Sequence, residues 1–177
     1  MFRRVFLALL LAFSLPVGAV TGQEAALKRV LFIGNSYLYY NDSLHNHVER
    51  MAIERHKGSL TSSFEFRSAT IGNASLSHHN IDWLLTPGQI GVEDPFQAVV
   101  MQGASFEALT PETRQMFLDT AVSYANKVRQ SGATPMLYMT HAYVPPHRLA
   151  DKNMINLVSE TYIEAGLAAK AKVIPVG

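Results

Sequence analysis

The chain has 177 residues, 48% of them apolar and 16% charged, which fits one packed domain and excludes a disordered chain or a pair of ordinary domains. Fifteen Lys and Arg against fourteen Asp and Glu give a net charge of +1, and the scattered cations exclude a nucleic-acid footprint. With no cysteine, disulfides, thiolate metal sites and a cysteine nucleophile are all excluded, so covalent chemistry must use oxygen or nitrogen.

Arg3 and Arg4 precede an apolar run from Val5 to Leu15, then Pro16 and the small residues Val17 to Gly22. That order is the order of a secretory signal peptide. The run falls short of the roughly 20 residues a spanning helix requires, so no stable membrane anchor is expected. Residues 1–22 are read as a leader cut after Ala19 or Gly22, with export to a periplasm or the cell exterior and a domain over residues 23–177.

Arg29 to Ile33 is a continuous apolar run ending at Gly34, which predicts a parallel strand buried on both faces. A loop follows, with Asp42 as the expected cap of a helix over 43–56 that carries Leu44, Val48, Met51 and Ala52 at helical spacing. Residues 63–71 alternate as a second strand, Gly72-Asn73 ends it, and a short helix is predicted over 75–85. The stretch 86–95, with two Gly and two Pro, reads as loop. Residues 96–101 form the third predicted strand, and Thr110-Pro111 opens a helix running to Gly132. The fourth strand is predicted over 136–140, a helix over 151–171, and a fifth strand from Val173.

Strands alternating with helices predict a three-layer α/β/α sandwich around a parallel sheet, with a flavodoxin-like strand order 2-1-3-4-5. The chain ends on an apolar strand, and a parallel strand needs cover on both faces, so the domain is expected to be truncated at its fifth strand.

In open α/β sheets ligands bind beyond the carboxyl ends of the strands, where strand order reverses. Three loops meet there: Gly34-Asn35-Ser36-Tyr37, Gly72-Asn73-Ala74-Ser75 and Gln102-Gly103-Ala104-Ser105. Ser36 suits a nucleophile, while its own N–H, the N–H of Gly72 or Asn73 and the side-chain amide of Gln102 suit an oxyanion hole.

Val30 to Ser36 resembles the first block of the SGNH (GDSL-like) hydrolases, with Asn35 where many members have Asp. Ile71 to Leu76 resembles the second block, and Asp94 to Gln102 the strand leading into the third, with Gln102 where the usual donor is Asn. The resemblance implies a serine hydrolase in which Ser36 is the nucleophile and Gly72 or Asn73 and Gln102 are oxyanion donors. It places the base in a late Asp-x-x-His block that none of the seven histidines occupies, so the base is expected outside the chain.

His141, after the fourth strand, is the alternative base, although two strand spacings set that strand roughly 9.6 Å from the first. His45 and His47 lie two apart, which does not face them together on a helix, and no metal is expected. His78 and Tyr37 are candidate substrate contacts, and Tyr37, Tyr39 and Tyr40 form a candidate aromatic patch. The expected function is an exported esterase cleaving a small-molecule or carbohydrate ester, such as an acetylated carbohydrate, with no metal or organic cofactor. The alternative is a non-catalytic module that binds a glycan or small ligand in the same cleft.

Overall fold

The computed structural model describes residues 27–56 and 64–177, so the leader read from residues 1–22 lies outside the described residues. Five strands form one parallel sheet in the order 2-1-3-4-5. They are β1 (Arg29–Gly34), β2 (Glu65–Thr70), β3 (Ala98–Met101), β4 (Thr134–Tyr138) and β5 (Lys172–Ile174). The helices are α1 (Ser36–Tyr39), α2 (Leu44–Arg55), α3 (Ile81–Leu85), α4 (Pro111–Gln130) and α5 (Met154–Ala169).

Pleating divides β1 between the two faces. Leu31 and Ile33 join Val99, Met101 and Leu137 in one cluster with α3, α4 and α5. Val30 and Phe32 join Phe66, Ala98 and Val100 in a second, covered by Leu38 of α1 and by Leu44, Val48 and Ala52 of α2. The sheet is therefore covered on both faces, and the apolar runs in the sequence are its central strands.

α4 begins as its sequence requires. The Thr110 side chain accepts from the Thr113 N–H, and Pro111 takes the first helical position, where its missing N–H costs nothing.

Other boundaries depart from the sequence reading for physical reasons. Four residues after β1 are helical rather than loop, because the Asn35 side chain caps Tyr37 N. Asp42 is not the cap of α2. Ser43 holds that place, and Asp42 instead accepts from Arg50 Nη2 at 2.8 Å. Met51, placed on the inner face by spacing, is 62% exposed. The helix expected over 75–85 is two pieces, a 3₁₀ turn over Leu76–His78 and α3, because Asn80 starts a fresh cap by accepting from Trp83 N.

β4 starts two residues earlier than expected and includes Pro135. Thr134 N donates across to Gln97 O at 2.9 Å. Pairing with β5 begins only at Met136, so the proline forfeits no ladder bond.

Leu31 is wholly buried at the centre of the larger cluster. Leu31→Ala is expected to cost about 2–5 kcal/mol in urea denaturation. A loss under about 1 kcal/mol would contradict a close-packed interior at β1.

Candidate active site

β1 and β3 deliver their carboxyl ends side by side, with Ile33 opposite Met101 and Gln102 N donating to Ile33 O at 2.8 Å. β2 delivers its own on the other side, with Gly34 opposite Thr70. The three loops named from the sequence therefore leave the sheet together. Ser36 is the first residue of α1 and is partly exposed, as a nucleophile must be to meet a substrate.

One side chain joins all three loops. Asn35 is 2% exposed, and its Nδ2 donates to Ala74 O at 3.3 Å and Gly103 O at 3.2 Å while its Oδ1 accepts from Tyr37 N at 3.2 Å. An ionised aspartate at this position has no donor for either carbonyl. The Asn found where the resembled family often carries Asp is thus matched to its two acceptors.

Glu107 makes a second tie. It is 5% exposed, and its Oε2 accepts from Ala104 N at 2.6 Å and Leu76 N at 3.4 Å, holding the third loop to the second. Burial pushes its carboxyl above the ordinary range, opposed by those two N–H groups and by nearby His78 and Ser75. Buried Tyr162 of α5 accepts from Gly103 N at 2.9 Å. Ser105 reaches the loop after β4, donating to His141 O at 2.5 Å and lying 3.2 Å from Thr140 Oγ1. Glu107, Tyr162 and Ser105 escaped the sequence reading. The available signal was a lone acidic residue three positions after Ala104 in an otherwise apolar stretch.

The candidate oxyanion donors are placed as follows. Asn73 has φ 56°, so the left-handed position in the second loop is Asn73, while Gly72 has an ordinary φ. The N–H groups of Ser36, Gly72 and Asn73 have no acceptor among the described residues. Gln102 is wholly buried, and among the described residues neither its Nε2 nor its Oε1 has a hydrogen-bond partner. Its side chain packs against Gly34, where an added Cβ would lie 3.0 Å from Gln102 Cβ and 2.7 Å from Leu38 Cδ1. Gly34 is a glycine because the two side chains fill its space.

The aromatic patch read from the sequence divides. Tyr37 turns its ring to His141, centroids 5.3 Å apart, while Tyr39 and Tyr40 pair with each other at 5.1 Å. His141 is exposed beside the neighbour of Ser36. His78 holds its own loop, its Nδ1 accepting from Ser75 N at 3.2 Å. His79 is 5% exposed against the Gly34 carbonyl, and burial holds it below the ordinary imidazole pKa, so it is neutral at pH 7. His47 Nε2 lies 2.7 Å from Asn41 O, and His45 is partly buried. Among the described residues no three His, Cys, Asp or Glu side chains gather as a metal site.

No protein-family model matches the chain, and no curated protein matches it significantly. Solved structures do. A protein of Slackia heliotrinireducens assigned to the SGNH hydrolases is 24% identical, with a TM-score of 0.61 over 84% of this chain and 78% of that one. AlinE4, an SGNH-hydrolase family esterase, is 17% identical, with a TM-score of 0.59 over 85% and 77%. The acetyl xylan esterase AlAXEase is 14% identical, with a TM-score of 0.56 over 81% and 75%. At these identities the likeness is one of fold, and the chain has the α/β fold of the SGNH hydrolases.

The buried acid gives a stability test with a definite sign. Its raised folded pKa means that Glu107 contributes most to stability below its unfolded pKa, and that contribution is lost as pH rises through the folded value. Glu107→Gln keeps an acceptor for Ala104 N and Leu76 N without the charge. The Tm difference in favour of Gln is expected to grow as pH rises above the ordinary glutamate value and to level off only above the raised folded value. A difference that shrinks with rising pH would show that the carboxylate, not the acid, is the form the fold favours.

Proposed function

We propose that the protein is a serine ester hydrolase whose Ser36 Oγ attacks the carbonyl of a carboxylic ester, with an acylated carbohydrate as the substrate class. The observation that carries this reading is the setting of Ser36. Ser36 is partly exposed just past the carboxyl end of a central strand, in a loop that Asn35 ties to the loops carrying Asn73 and Gln102, and among the described residues the N–H groups of Ser36, Gly72 and Asn73 have no acceptor and the buried Gln102 amide no partner. Esterases among the structures that share the fold, one of them an acetyl xylan esterase, support the reaction class and the substrate class.

In this reaction Ser36 gives its proton to a base as the C–O bond forms, and the carbonyl oxygen becomes an oxyanion. The N–H groups of Ser36 and of Gly72 or Asn73, with Gln102 Nε2, are the donors proposed to face that charge. Collapse of the intermediate releases the alcohol, with the base returning the proton, and water then removes the acyl group by the same route. Losing one such donor typically costs a factor of about 100 to 1,000 in kcat. His141 is the candidate base within the described residues, since its ring already contacts Tyr37.

A fluorophosphonate probe tests the nucleophile. Labelling of the full chain is expected to map to Ser36 and to vanish in Ser36→Ala. A folded protein that takes no label would favour the alternative, a module that binds without turnover. If His141→Ala slows 4-nitrophenyl acetate hydrolysis as much as Ser36→Ala does, His141 is the base, and an unchanged rate assigns that role elsewhere.

A further inference from the structure

At Tyr37, the residue after Ser36, the surface opens into a trough of about 640 Å³. Two ring pairs line it. Tyr37 meets His141 edge to face, and Tyr143 stacks on His147 with centroids 3.9 Å apart and planes at 23°. Ala142, Val144, Ile155 and Gly177 complete the lining. A second hollow of about 360 Å³ shares Tyr143, Val144 and Ile155 with the first and continues to Asp151 and Lys152.

The rings are set rather than loose. Leu149 N donates to His147 Nδ1 at 3.1 Å, which makes Nδ1 an acceptor and leaves the proton of the neutral ring on Nε2. Tyr143 N donates to Met154 Sδ at 3.2 Å, which ties this residue to the start of α5. The trough therefore offers flat apolar ring faces together with imidazole groups that can donate or accept.

A ligand must match both properties. A straight acyl chain would cover the rings but leave the two imidazoles desolvated and unpaired, at about 1–3 kcal/mol for each lost partner. A pyranose has C–H faces for the rings and hydroxyls around its edge for the imidazoles. We propose that the trough lined by Tyr37, His141, Tyr143 and His147 is a saccharide subsite that holds a pyranose of the ester's alcohol portion beside Ser36. The adjoining hollow takes a second sugar ring toward Asp151 and Lys152. The place of this subsite in turnover rests on Ser36 being the ester-cleaving serine, whereas sugar binding itself does not.

The test uses the full chain and ligands it cannot cleave. Xylotriose and cellotriose are titrated by NMR and calorimetry, with octanoate as competitor. At least one sugar is expected to bind, with Kd raised at least fivefold by His147→Ala and tenfold by Tyr143→Ala, and octanoate is expected not to compete. His147 is exposed, so its variant keeps the test decisive if Tyr143→Ala does not fold. Binding of neither sugar, a Kd unmoved by His147→Ala, or displacement of the sugar by octanoate would each overturn the subsite. Sugar binding without fluorophosphonate labelling would mark failure of the Ser36 reading, and labelling without sugar binding would mark failure of the subsite.

Discussion

The carboxamide of Asn35 is the contact on which the arrangement around Ser36 depends. Strand ends alone leave loops free to diverge, and here one buried group bonds to the backbone of all three. A typical hydrogen bond adds only about 1 kcal/mol net, but leaving a buried carbonyl unpaired costs about 1–3 kcal/mol. The geometry is therefore enforced mainly by the penalty on alternatives. Ala74 O has its buried partner only while the second loop stays against the first, and Gly103 O, which also lies 3.5 Å from the Tyr162 hydroxyl, loses its shorter bond if the third loop moves away.

Glu107, Tyr162 and Ser105 extend the same logic outward. Gly103 is held through its carbonyl by Asn35 and through its N–H by Tyr162, while Ala104 is held by Glu107. A side chain on Gly103 would meet Phe117 Cε2 at 2.6 Å and Glu107 Oε2 at 2.7 Å, so the position admits only glycine. Against this satisfied network Gln102 stands out, since its buried amide has no partner among the described residues. An unpaired group of that kind lowers stability, and it is the kind of cost that a site organised in advance for developing charge would retain.

Much of this was legible in the sequence. The apolar runs of β1 and β3 are continuous because both faces of each strand are buried, and the alternation of such strands with helices pointed to the parallel sheet, whose flavodoxin-like order the structure has. The convergence of the loops carrying Ser36, Gly72, Asn73 and Gln102 followed from topology. The ties did not, because periodicity shows which residues face a core and not which polar groups find each other inside it. Asn35 was visible only as a departure from a pattern, and its meaning lies in two carbonyls 39 and 68 positions away. β4 begins before the predicted position 136 and takes in Pro135, since a proline in a strand is excluded only where a neighbour needs its N–H.

The proposed function requires that the three loops hold donors toward the oxygen of a group bound to Ser36. The most direct measurement is a crystal structure of the full chain after reaction with a monoalkyl fluorophosphonate. Phosphorus is expected on Ser36 Oγ, with the phosphoryl oxygen about 2.7–3.2 Å from the Ser36 N–H nitrogen, from the Gly72 or Asn73 nitrogen, and from Gln102 Nε2. An adduct on another residue, or one on Ser36 whose phosphoryl oxygen points into solvent with none of these donors within hydrogen-bonding distance, would contradict it.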